Sequence, residues 1–232
     1  MKKLILSILT LFVVLSASAH AVFIETTLKG VKGKSHAVKI VYGEPDEHEA
    51  IAKWWWYKEG MQVTLTLTKP DGSKETLSTT AQADHLLATF VPDQDGYYHV
   101  SLQRDTERKE GAKTQYQINA VGTIQVGNST LGNTASNIGN ELLVHADQST
   151  YKNKKEVSLT LYQKGKPAAN SFFQIIAPSG WIKWVETDDN GIARFIPEWK
   201  GKYFAEVSKK EKVEGLAFEE YSRATSMSFE VK

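Results

Sequence analysis

The chain has no cysteine among its 232 residues. That excludes a disulfide framework, a thiolate metal site and a cysteine nucleophile, so buried core must hold the fold. An excess of one charge is missing too. Lys and Arg number 28 against 27 Asp and Glu, and such balance gives no electrostatic basis for capturing nucleic acid or an anionic membrane. Methionine occurs three times, too rarely for a thioether-rich Cu(I) site. After residue 21 no apolar run approaches the roughly 20 residues that span a bilayer, so the mature chain is expected not to cross a membrane. No nucleophile elbow, phosphate loop, dinucleotide fingerprint or paired-histidine zinc motif occurs. Residues 111–114 end like a phosphate loop but lack its first glycine and its strand-to-helix setting. The expectation is a protein that is not an enzyme.

What is present begins with Lys2 and Lys3, a largely apolar run from Leu4 to Leu15, and then small residues. This is the layout of a secretory leader, and its basic start suits bacterial export to the periplasm. Residues 1–21 are read as a signal peptide cleaved after Ala19 or Ala21, the second bond slightly favoured. The choice decides the fate of His20. Cleavage after Ala19 leaves His20 with a free α-amino group, a two-nitrogen chelate suited to Cu(II) or Ni(II). Cleavage after Ala17 gives Ser-Ala-His, which wraps a square-planar ion. Cleavage after Ala21 discards His20.

A repeat organises the remainder. Phe90 to Tyr98 and Phe195 to Tyr203 share the pattern F-x-P-x-x-x-G-x-Y, each preceded by a P-x-G turn at Pro70 and Pro178, and the two phenylalanines are 105 residues apart. One unit of about 100 residues therefore occurs twice. Period-2 alternation gives seven short strands per unit: 22–27, 37–42, 62–68, 73–79, 86–91, 97–103 and 114–126, then 142–146, 157–162, 172–177, 181–186, 193–196, 203–208 and 226–231. Seven strands spaced by turns fit an all-β architecture of two tandem immunoglobulin-like β-sandwich domains, at 22–126 and 141–232. The Gly-x-Tyr of each repeat resembles the tyrosine corner of that fold. Residues 127–140, small and polar with little to bury, read as a linker.

Five of six histidines precede that linker. The candidate metal ligands are His20, His36, His99 and His48. His36 is in phase with Val38 and Ile40 on an inner face. His99 alternates with Tyr98 and faces outward with Ser101 and Gln103. His48 lies in an acidic segment where carboxylate and imidazole meet. Three consecutive tryptophans, Trp54, Trp55 and Trp56, cannot all face one core, because strand neighbours point to opposite sides. At least one is expected to be exposed and to offer a surface to a ligand or partner. Residues 209–223, rich in charge, read as an insert interrupting the last hairpin.

The stretches 20–26, 41–44, 53–55, 70–72, 90–98, 165–170, 178–181 and 195–203 together resemble the domain of unknown function 4198 family, exported bacterial proteins often linked to nickel or cobalt uptake. The resemblance spans nearly the whole mature chain. It implies a periplasmic Ig-like protein associated with a transition metal, with a histidine at the mature start where His20 stands, and it brings no catalytic residues. The expectation is a protein that binds or delivers Ni, Co or Cu, its partner the metal ion or a membrane transport component. The alternative is an adaptor that binds a glycan or protein through sandwich edges and the Trp54–Trp56 loop.

Overall fold

The computed structural model describes residues 21–44 and 47–232. Residues 1–20, with His20 and the expected cleavage after Ala19, lie outside the described residues. Fourteen strands of four or more residues carry the described chain. The first seven are β1 Ala21–Thr26, β2 His36–Glu44, β3 Thr64–Thr68, β4 Lys74–Ser78, β5 Leu86–Phe90, β6 Gly96–Asp105 and β7 Thr114–Val126. After a short helical turn at Ala135–Ile138 come β8 Leu142–Ala146, β9 Val157–Gln163, β10 Phe172–Ile176, β11 Ile182–Glu186, β12 Ile192–Phe195, β13 Gly201–Lys212 and β14 Glu220–Val231. The fold is all-β. Every segment whose alternation predicts a strand is one, because half-buried strands in packed sheets impose that period.

Eight of these strands form one central sheet in the order β11-β10-β13-β14-β7-β6-β3-β4. It is continuous across both halves of the chain, since β7 and β14 pair in parallel from Thr114↔Glu220 to Val121↔Met227. Two smaller sheets cap it, β1-β2-β5 and β8-β9-β12. On β7, Ile118, Ala120 and Ile124 enter the first core, whereas Val121 enters the second together with Met227 and Phe229 of β14. The caps therefore lie on opposite faces of the central sheet, a sandwich-like arrangement in which each cap overlaps the joint.

β1 sits over that joint. It pairs with β2 along one edge, and its other side receives the hydroxyls of Ser226 and Ser228 on the carbonyls of Val22 and Ile24, at 2.5 and 3.3 Å. A Cβ at Gly122 would stand 2.6 Å from Cγ2 of Ile24, so glycine on β7 is what lets β1 approach. Val22 and Ile24 belong to the first core. Ala21 and Phe23, on the other face of β1, pack with Val41, Ile176 and Phe204 in a third cluster between the halves. Phe23 and Phe204 meet edge-on at 4.9 Å.

Both repeat motifs close as their chemistry requires. The Tyr98 hydroxyl accepts the backbone N–H of Asp93 and of Gln94 at 3.1 and 3.0 Å. The Tyr203 hydroxyl accepts the N–H of Trp199 at 3.1 Å and donates to its carbonyl at 3.0 Å.

Two expectations change. Residues 127–139 are packed instead of bare: Ile138 is buried, the Tyr97 N–H bonds the Leu131 carbonyl at 2.8 Å, and a Cβ at Gly132 (φ +83°) would stand 2.5 Å from Cα of Pro70. Small residues here permit close approach of backbones. Residues 209–223 do not interrupt the last hairpin but lengthen it, with β13 and β14 paired out to Lys212↔Glu220. Charge on both faces hid these strands, yet Arg223 is buried with its guanidinium 2.6 Å from Glu141 and 2.7 Å from Glu211.

Candidate functional site

Each histidine takes its setting from the strand that carries it. His36 opens β2 and is buried beside Phe90. Its Nε2 lies 2.7 Å from the Thr26 hydroxyl, and burial holds its pKa below the ordinary value. His48 pairs back on β2 at Gly43. Its Nε2 is 3.6 Å from Glu25 and its Nδ1 4.0 Å from Asp84, whose other oxygen holds Nδ1 of His85 at 2.7 Å. Glu25 is shared with Lys202 at 3.2 Å.

His99, expected to face outward with Ser101 and Gln103, is not at the surface. It does face away from Tyr98, Val100 and Leu102, but it is fully buried, because that side of β6 is covered by residues 127–139 and β8. Its Nε2 is 3.1 Å from the Gly132 carbonyl and its Nδ1 3.1 Å from the Thr123 hydroxyl. A carbonyl only accepts, so Nε2 carries the proton and Nδ1 accepts from Thr123. Burial, reinforced by nearby His145, pushes its pKa down to about 4. His145 lies 6.1 Å away, ring to ring, with a buried Nε2 that has no partner among the described residues. His36, His48 and His99 are not brought together, and among the described residues no three His, Asp or Glu side chains converge on a geometry that could hold a metal ion.

The tryptophan run divides. Trp54 and Trp56 are buried and stacked at 5.2 Å, with Trp54 Nε1 donating to the Glu49 carbonyl at 2.9 Å. Trp55 is 57% exposed and meets Tyr116 edge-on at 6.1 Å. A three-ring platform is absent; one ring faces solvent.

Sequence reading passed over a carboxyl at the seam between the halves. Glu206 of β13 stands in a cross-strand row, paired with Gln174 on one side and Ser226 on the other. Its neighbours Ala205 and Val207 point into the second core, so an isolated second half would present Glu206 to water. Here β1 and β2 cover it in part. Ala21, Tyr42, Trp55, Asn119, Glu206 and Ser226 line a cavity of about 80 Å³. Oε2 of Glu206 is buried with no hydrogen-bond partner among the described residues. Burial first, then the charge of Glu44, pushes the Glu206 pKa up to about 7. A cleft of about 560 Å³ lies elsewhere along β1 and β14, and its charged groups include the ion pairs Lys202–Glu25 and Lys232–Glu230.

The family described as "Domain of unknown function (DUF4198)" matches residues 17–211. No curated protein matches. Among solved structures, an alpha-2-macroglobulin from Salmonella reacted with methylamine is 13% identical, over 90% of this chain and 14% of that one, with a TM-score of 0.31. The E. coli alpha-2-macroglobulin in its native conformation is 11% identical, over 92% and 14%, at 0.30. A two-domain fibronectin type III segment of chicken tenascin is 12% identical, over 89% and 97%, at 0.27. The chain spans about a seventh of the macroglobulins, and at such scores none of these likenesses carries an inference.

Proposed function

The chain belongs to the family of domain of unknown function DUF4198, and we propose that it is an exported periplasmic protein of two tandem Ig-like sandwiches that binds a divalent transition metal without catalysing a reaction. Its mature amino terminus supplies the nitrogen chelate, through His20, and it hands the ion to a membrane transport component. Nickel, cobalt and copper all suit nitrogen with oxygen donors. The two tyrosine corners support the Ig-like reading.

One observation carries the metal reading. Ala21 is buried, is already the first residue of β1 and lines the seam cavity. A retained His20 would be joined to this framework by a single peptide bond. His36 and His99 do not fit as ligands, because each is buried and engaged in side-chain hydrogen bonding. Intact mass of the exported protein fixes its first residue. Calorimetry of chains starting at His20 and at Val22 then tests the reading: near-stoichiometric uptake of Ni(II), Co(II) or Cu(II) by the first and not the second is expected. No binding tighter than about 0.1 mM, an affinity of about 5.5 kcal/mol, overturns it.

A further inference from the structure

We propose that the open face of the central sheet at β10, β11 and β13 is a cleft for a neutral saccharide, with Trp184 and Phe172 as stacking rings and Gln174 and Glu206 as hydrogen-bonding groups. This cleft is separate from the amino-terminal chelate and does not depend on it.

The second half of the sheet buries one face fully. Phe173, Ile175, Ala205 and Val207 point into the second core, and the residues that alternate with them point to the other face. The first half covers part of that other face, where Ile176 and Phe204 pack with Phe23 of β1. Farther along β10 and β11 the face is open: Phe172 is 55% and Trp184 62% exposed. A sheet face left to water ordinarily carries polar side chains, so two large rings held out on paired strands mark a contact surface.

The rings do not form an apolar patch. Trp184 stands opposite Gln174, and Gln174 opposite Glu206, so one row of the face runs from indole to amide to carboxyl. Phe172 lies two residues from Gln174 on the same side of β10, diagonal to Trp184. These four residues, with Lys209 and Lys210, line a cleft of about 470 Å³, within the roughly 300–1,000 Å³ of small-ligand sites. The centre of a protein–protein interface is instead depleted of charged groups.

Charge narrows the ligand. Lys210 is paired with Glu220 at 3.4 Å and Lys209 donates to the Ser171 hydroxyl at 2.8 Å. Two ammonium groups are thus matched in number by the carboxyls of Glu206 and Glu220, and no excess of either sign is left for an anionic polymer or a cation. A pyranose meets the remaining demands. Its C–H face packs on an aromatic ring, and its adjacent hydroxyls both donate and accept, which suits the Gln174 amide and the Glu206 carboxyl.

The test applies the full mature chain to an array of neutral hexose and N-acetylhexosamine oligosaccharides and titrates the member retained best by calorimetry. Wild type, Trp184→Ala, Phe172→Ala and Trp199→Ala are compared; Trp199 is also exposed but packs on Trp181 at 5.7 Å, outside the cleft. Wild-type binding tighter than about 1 mM, weakened at least about tenfold in Trp184→Ala and unchanged in Trp199→Ala, supports the site. No saccharide bound tighter than about 1 mM overturns it, as does unchanged affinity in Trp184→Ala or an equal loss in Trp199→Ala. A Trp184-dependent dimer in sedimentation, with no saccharide bound, overturns it in favour of a second copy on this face. Thermal melting is the fold control; if Trp184→Ala does not fold, Phe172→Ala decides, and unchanged affinity there overturns the site.

Discussion

Trp54, Trp55 and Trp56 show how neighbours of one chemical type take different roles when alternation separates them. Trp54 and Trp56 stack within the first core, and Trp55 is exposed. Trp54→Ala should cost about 3–5 kcal/mol, the usual range for emptying a buried aromatic site, while Trp55→Ala should stay within about 0.5 kcal/mol. Urea midpoints compare the two directly. His99 makes a second residue-scale case, now in pH. Folded, it resists protonation down to about 4; unfolded, it takes a proton near 6.5. Between those values the unfolded state binds more protons, so stability is whole above about pH 6.5 and falls as pH drops toward 4, by about 3 kcal/mol. His145, also held low by burial, adds in the same direction, opposed by the charge of Asp147; Tyr97 stacks on the His99 ring. Unfolding of wild type and His99→Gln at pH 7 and 4.5 should show a smaller acid loss in the variant; equal losses would exclude His99 as the cause.

At the scale of elements, period and turn chemistry made all fourteen strands legible, and the F-x-P-x-x-x-G-x-Y repeat placed both tyrosine hydroxyls on backbone amides. Burial of His99 and of Oε2 of Glu206 was not legible. Each residue alternates with core residues of its own half, so each reads as outward, and what covers it comes from segments far along the chain: residues 127–139 and β8 for His99, β1 and β2 for Glu206. The lengthened β13–β14 hairpin was hidden for a related reason, since charged residues on both faces carry no period-2 signal. Its structural payoff is Arg223, buried between Glu141 and Glu211, bonded to Gln117 at 3.1 Å and lying 3.9 Å over the Tyr221 ring. Removing one member of a buried ionic group leaves the others unpaired, so Arg223→Ala should cost about 3–5 kcal/mol. Arg223→Met with Glu211→Leu should recover part of that by replacing charge with packing. A denaturation series in which the double variant is no more stable than Arg223→Ala would show that the ionic partners are not the source of the loss.

At the scale of the molecule, two sequence repeats do not make two independent bodies. β7 and β14 share eight parallel residue pairs, β1 is buried on both faces, and the caps overlap the joint from opposite sides. A chain ending near residue 126 would leave β7 as a long edge carrying Val121 into water, and would uncover Phe23 and Val41. Unpaired apolar edges of this kind recruit other chains. The fragment 22–126 should therefore be unstable or self-associating, while the whole mature chain unfolds in one transition whose calorimetric and van't Hoff enthalpies agree. Scanning calorimetry of the whole chain with gel filtration of the fragment checks both. Two resolved transitions together with a monomeric, cooperatively folding fragment would mean that the joint adds little to stability.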